Sequence, residues 1–189
     1  MTEILLFHHA QGLTAGVRAF ADELTAAGHT VHLPDLFDGR TFADVESGVD
    51  HAREIGFDAL LARGVAAADE LPNTIVYAGF SMGVMSAQKL AQTRAGTVGA
   101  LFYESCLPVE EFGAWPEGIP VQIHGGVDDE WFAEDLEFAE KLAGSSPNAE
   151  LFRYSGTKHL FADSSLTSYD AQAAGLLLER TLSFLADLG

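Results

Sequence analysis

The strongest constraint on the fold is an alternation that runs along the chain. Short apolar runs rich in branched residues are each followed by small or polar residues, then by a stretch with helical periodicity. Strands are predicted at Ile4 to Phe7, Thr30 to Leu33, Ile75 to Phe80, Ala100 to Tyr103, Val121 to His124 and Glu150 to Tyr154. Strands separated by helices join in parallel through crossovers, so the expected fold is α/β, a mostly parallel sheet flanked by helices on both faces. The first helix, about Ala15 to Ala27, sets Val17, Phe20, Ala21 and Leu24 on one stripe, and Gly28 follows where a helix-ending glycine belongs. The last helix, about Ser168 to Asp187, is periodic through Ala174, Leu177, Leu178, Leu182 and Leu185. No internal repeat or low-complexity linker divides the chain, so one domain over residues 1–189 is expected.

Composition then removes several partners. With 28 Asp and Glu against 10 Lys and Arg the formal charge is −18, whereas nucleic acids and anionic membranes are bound through basic clusters. Neither nucleic acid nor membrane is an expected partner. Hydrophobic residues at 48 % and charged residues at 20 % belong to a folded domain, not to an acidic disordered tail. Cys106 is the sole cysteine, so there is no intrachain disulfide and no cysteine-based metal cluster, as in a reducing cytoplasm. The start, MTEILLFHHAQG, reads as neither a signal peptide nor a membrane span, and a cytoplasmic location is expected.

Chemistry concentrates at Gly79-Phe80-Ser81-Met82-Gly83, a G-x-S-x-G pentapeptide between an apolar strand and the helix-like Val84 to Gln92. In a chain with 19 glycines about 0.1 such matches arise by chance, and the strand-before, helix-after context makes accident rarer still. On a tight strand-to-helix turn the serine hydroxyl is exposed, and the N–H of Met82 faces a developing oxyanion near a helix N-terminus. Serine needs a histidine base and a carboxylate to orient it, and in open parallel sheets such groups sit beyond the carboxyl ends of strands. Asp128 and Asp129 follow the strand ending at His124 through Gly125-Gly126-Val127, and His159 follows the strand ending at Tyr154. The order Ser81, Asp128, His159 is that of the α/β-hydrolase fold.

Other readings of the same residues are blander. Asp128 would also serve as an N-cap, and Asp129, Glu130, Glu134, Asp135, Glu137 and Glu140 suit a solvated helix face. The loop His8 to Thr14 should lie beside Ser81, with Gly12 allowing close approach and Leu13 supplying the second oxyanion N–H. A metal or substrate role for the adjacent His8 and His9 is the weaker reading, because neighbours at a strand end point to opposite sides. His124, at a strand end, should be a satisfied buried imidazole. The irregular stretches Pro34 to Thr41 and Glu104 to Pro120 carry Phe37, Phe112 and Trp115, which are surface-loop residues or pocket walls.

Taken together the chain resembles the dienelactone hydrolase family. The pieces are His9-Ala10-Gln11, Pro34-Asp35-Leu36, Gly79 to Gly83, Gly125-Gly126-Val127-Asp128, Gly156 to Ala162 around His159, and Glu179 to Leu185. The resemblance implies a single-domain α/β-hydrolase fold with a nucleophile, acid and histidine triad, no cofactor, no metal, Asp128 rather than Asp129 as the acid, and a second oxyanion N–H at or near Leu13. Members that open dienelactones carry an elbow cysteine, a first-loop glutamate and an arginine four residues after the histidine. Here those positions read Ser81, Gln11-Gly12 and Asp163. The expected enzyme is a serine hydrolase of a small, neutral or cationic ester, thioester or lactone, because Asp163 beside His159 would repel an anionic substrate. The competing expectation is a non-catalytic domain of the same fold that only binds a small ligand.

Overall fold

The computed structural model describes residues 1–188. Its strands are β1 (Glu3–Phe7), β2 (Thr30–His32), β3 (Ile75–Phe80), β4 (Thr97–Tyr103), β5 (Val121–Gly126) and β6 (Ala149–Tyr154). Its helices are α1 (Ala15–Ala26), α2 (Val45–Ile55), α3 (Phe57–Ala66), α4 (Val84–Thr93), α5 (Glu130–Ser145) and α6 (Ala171–Asp187). All six strands run parallel in the order β2-β1-β3-β4-β5-β6. The α/β architecture read from the apolar alternation is therefore the one found.

Side-chain alternation builds two cores from one sheet. Leu5, Phe7, Tyr77, Phe102 and Ile123 point to one face, where Leu60, Ala87, Leu90, Phe132 and Leu142 of α3, α4 and α5 cover them. Ile4, Leu6, Val76, Ala78, Leu101 and Tyr103 point to the other, under Val17, Phe20 and Leu24 of α1 and Leu177, Phe184 and Leu185 of α6. Both faces of the central strands are buried, which is why β3 reads as an unbroken apolar run.

The chain order reverses beside β1: β2 lies on one side of it and β3 on the other. The loops leaving β1 and β3 at their carboxyl ends thus diverge, and a crevice opens between them.

The boundaries of β5 and α6 differ from expectation. β5 runs on to Gly126, paired with Tyr154 of β6, instead of stopping at His124. α6 begins at Ala171, capped by Asp170 through the amides of Gln172 and Ala173, three residues after the expected start at Ser168. Among the described residues no helix is long and apolar enough to cross a membrane.

Candidate active site

The pentapeptide forms a sharp elbow. β3 ends at Phe80, Ser81 takes φ +47°, and Ser81–Gly83 make a single 3₁₀ turn leading into α4. A non-glycine residue in the left-handed region costs free energy and lifts its side chain out of the turn. The two flanking glycines make the geometry possible. A Cβ on Gly79 would meet the Gly83 carbonyl at 2.5 Å, and one on Gly83 would meet the carbonyl oxygens of Phe7 and His8 at 2.6 and 2.7 Å. The elbow is therefore pressed against the end of β1 and its following loop.

Ser81 Oγ lies 2.8 Å from His159 Nε2, and His159 Nδ1 lies 2.7 Å from Asp129 Oδ2. With the Nδ1–H tautomer the ring donates to Asp129 and accepts from the Ser81 hydroxyl, the polarity that nucleophile activation needs. His159 is almost wholly buried. Burial is the largest influence on it and favours the neutral ring, but the hydrogen bond to Asp129 and the charges of Glu104, Asp129 and Asp135 outweigh it and leave the pKa raised.

Asp128 is a correction. Its Oδ2 accepts the Gly156 N–H at 2.9 Å at the surface, while the buried Asp129 faces His159. The physical reason is the extra length of β5. With the strand running to Gly126 and α5 starting at Glu130, Asp129 is the N-cap, not part of a solvated face. Its Oδ1 takes the amides of Trp131 and Phe132 at 3.0 and 3.2 Å.

The loop after β1 lies beside the elbow, as expected. Gly12 N–H donates to His9 O, Thr14 N–H to Gly12 O, and Gln11 N–H to His9 Nδ1. The amides of Ala10 and Leu13 form no hydrogen bond inside the loop. Gly12, at φ +90°, pairs with Thr41 in an isolated antiparallel bridge, and a Cβ there would meet Arg40 O at 2.2 Å.

Both adjacent histidines are buried and structural. His8 donates through Nδ1 to His9 O and accepts Leu36 N–H at Nε2, and burial pulls it down to about 4, so it stays neutral. His9 Nε2 donates to Asp163 Oδ2 at 2.8 Å. His124 is the satisfied imidazole expected, bonded to the Tyr154 hydroxyl at 2.8 Å and lowered to about 3 by burial.

Asp163 is a second correction. It does not face a substrate: it is 3 % exposed and accepts from His9, Thr14 and Ser165, clamping the β1 loop to the chain after His159. None of the loop aromatics lines the cleft beside His159. Phe37 is in the core against His8 and His51, Trp115 donates to Ile119 O and packs on Phe102, and Phe112 lies under Lys89.

The walls come from elsewhere. A cleft of about 800 Å³ opens beside His159, and Gln11, Leu13, Phe42 and Trp131 contribute to it. The Trp131 ring sits 6.0 Å from that of His159. Trp131 lies in a stretch that reads as a helix face and Phe42 just past the irregular stretch Pro34 to Thr41, so nothing local in the sequence marks them as walls.

A parallel sheet whose central strand delivers a strained serine, hydrogen-bonded to a histidine that a buried carboxylate holds, defines an α/β-hydrolase acting on ester bonds. The chain belongs to the dienelactone hydrolase family, whose model matches residues 1–189. A comparison with curated sequences returns no match. Among solved structures it is similar to the dienelactone hydrolase-like promiscuous phosphotriesterase P91 from metagenomic libraries, at 17 % identity and TM-score 0.75, covering 100 % of this chain and 87 % of that one. It is also similar to apo esterase 2 of Thermogutta terrifontis, at 18 % identity and TM-score 0.69, covering 100 % and 84 %. A third is an α/β-superfamily hydrolase from Xanthomonas campestris pv. campestris, at 19 % identity and TM-score 0.63, covering 99 % of each chain.

Proposed function

We propose that the protein hydrolyses small neutral or cationic carboxylic esters, thioesters or lactones through an acyl-enzyme on Ser81. The observation that carries this is the continuous relay Ser81 Oγ, His159, Asp129, with contacts of 2.8 and 2.7 Å. His159 Nε2 takes the hydroxyl proton as Oγ attacks the carbonyl carbon, and Asp129 stabilises the imidazolium. The tetrahedral oxyanion is held by the Met82 N–H and by an amide of the β1 loop, at or near Leu13. His159 then protonates the leaving group, and water attacks the acyl-enzyme under the same base. No cofactor or metal takes part in these steps.

Substrate charge follows from the cleft, not from Asp163. Asp44, Glu46, Asp128, Asp129 and Glu130 line it against Lys158, so an anionic substrate meets repulsion where a neutral or cationic one does not. Trp131 and Phe42 supply apolar surface for the acyl or alcohol group.

The test is covalent. Esterase 2 of Thermogutta terrifontis has been captured phosphorylated by paraoxon, which makes an organophosphorus probe a natural choice here. Treatment with a fluorophosphonate followed by peptide mass spectrometry should place the adduct on Ser81, and Ser81→Ala should take none. Folded protein that turns over p-nitrophenyl esters without an adduct on Ser81 would overturn the mechanism. Folded protein that binds esters but neither labels nor turns over would be the non-catalytic alternative.

A further inference from the structure

Among the described residues two buried acids lie outside the relay, Asp163 and Glu104, and of these only Glu104 keeps a carboxyl oxygen without a hydrogen-bond partner. Glu104 follows β4, between the strand that delivers Ser81 and the strand that leads to Asp129. It is 1 % exposed and sits at φ +62°, a left-handed backbone that costs free energy in any residue but glycine. Its own N–H donates to His124 O at 2.6 Å. Oε1 accepts the Phe161 N–H at 3.0 Å, tying it to the loop that carries His159. Oε2 is buried and has no hydrogen-bond partner. One donor atom each of Glu104, Asp129 and His159 lie within 4.8 Å of one another.

A strained, buried carboxyl with an unpartnered oxygen is expensive to keep, and a solely structural anchor for Phe161 N–H would need only a neutral acceptor. We propose that Glu104 is a positioning residue for His159, a second acid that acts through the imidazole: it fixes the 159–161 loop through Phe161 and, when ionised, raises the basicity of the ring. This rests on the reading of His159 as the base for Ser81.

The electrostatics agree. Burial is the largest influence on the Glu104 carboxyl and raises it, His159 pulls it down, Asp129 raises it again, and the balance stands at about 7. Asp135 of α5, itself held by Ser105 and the Cys106 amide, also bears on His159. Two carboxyls facing one imidazole cannot both ionise freely while the ring is neutral, so Glu104 and His159 release protons as a coupled pair.

Glu104→Gln separates the two parts of the role, because an amide oxygen still accepts Phe161 N–H but carries no charge. The measurement is the pH dependence of kcat/KM with p-nitrophenyl acetate, alongside that of fluorophosphonate labelling of Ser81. Losing a negative neighbour lowers the His159 pKa, so the acidic limb of both profiles should move to lower pH by about one unit. A folded Gln variant with both limbs unmoved overturns the proposal. Titration of the His159 ring protons by NMR in the wild-type protein serves if the variant does not fold: two inflections are expected, and a one-proton curve overturns the proposal. A wild-type protein that fails to label at Ser81 would instead refute the base assignment itself, a distinct result.

Discussion

Asp129 divides its carboxylate between two tasks, one oxygen on His159 and the other on the first amides of α5. Replacement by Asn keeps the cap acceptor but offers an N–H or a neutral oxygen to the imidazole, so the tautomer and the imidazolium are both lost. Asp129→Asn should lower kcat by about 10³- to 10⁴-fold with little change in stability, while Asp128→Asn should lower it by no more than a few-fold. Steady-state kinetics on the two variants decides between neighbours that the sequence does not separate. Both follow the same strand, and the side on which each projects depends on how far β5 runs. Gly125 and Gly126 look like the start of a loop yet pair with Arg153 and Tyr154. Glycine is depleted in strands because it has no side chain to pack, so propensity ends the strand early. Gly125 is there because a Cβ would lie 2.0 Å from the Phe132 ring.

At the scale of the element, the elbow stores backbone strain that catalysis needs and folding does not. Ser81 at φ +47° would be relieved by glycine, which occupies that region without a Cβ penalty. Ser81→Gly should therefore be more stable than Ser81→Ala by about 1 kcal/mol in urea unfolding, with both variants inactive. Gly83→Ala should do the opposite. Its new Cβ would lie 2.6 Å from Phe7 O, and moving β1 away costs about 2 kcal/mol and loosens the contact between elbow and β1 loop. The elbow was the most legible part of the site, since strand, pentapeptide and helix are contiguous and each has a local cause. The clamp between the β1 loop and Asp163 was not, because its partners His9 and Asp163 are 154 residues apart and no periodicity links them. A charge at Asp163 reads from sequence as a pocket charge. Only the fold shows it paired.

Across the whole molecule, that clamp ties stability to pH. Burial, the largest influence, would raise Asp163, but hydrogen bonds from His9, Ser165 and Thr14 outweigh it and hold the group at about 2, below its ordinary 3.8. A depressed acid contributes stability that is fully present above its unfolded pKa and is lost as pH falls through the folded one, here between about pH 4 and 2. The contribution is about 2 kcal/mol. Asp163→Asn should remove it, so that the gap between variant and wild type in thermal melts narrows as pH drops through that window. The net charge of −18 acts at the same scale. A choline-type ester should have a higher kcat/KM than a matched anionic ester, and the ratio should shrink as salt rises from 10 mM toward about 0.5 M, since screening shortens the reach of the cleft acids.

The order of the strands also sets a timetable for synthesis. β1, β3 and β4 sit side by side, and the chain that forms them is complete by Tyr103. Ser81 therefore precedes Asp129 and His159 in the chain, and without them its hydroxyl is no better a nucleophile than that of any other serine. Reactivity arrives only when β5 and β6 add to the growing edge of the sheet and bring acid and base alongside.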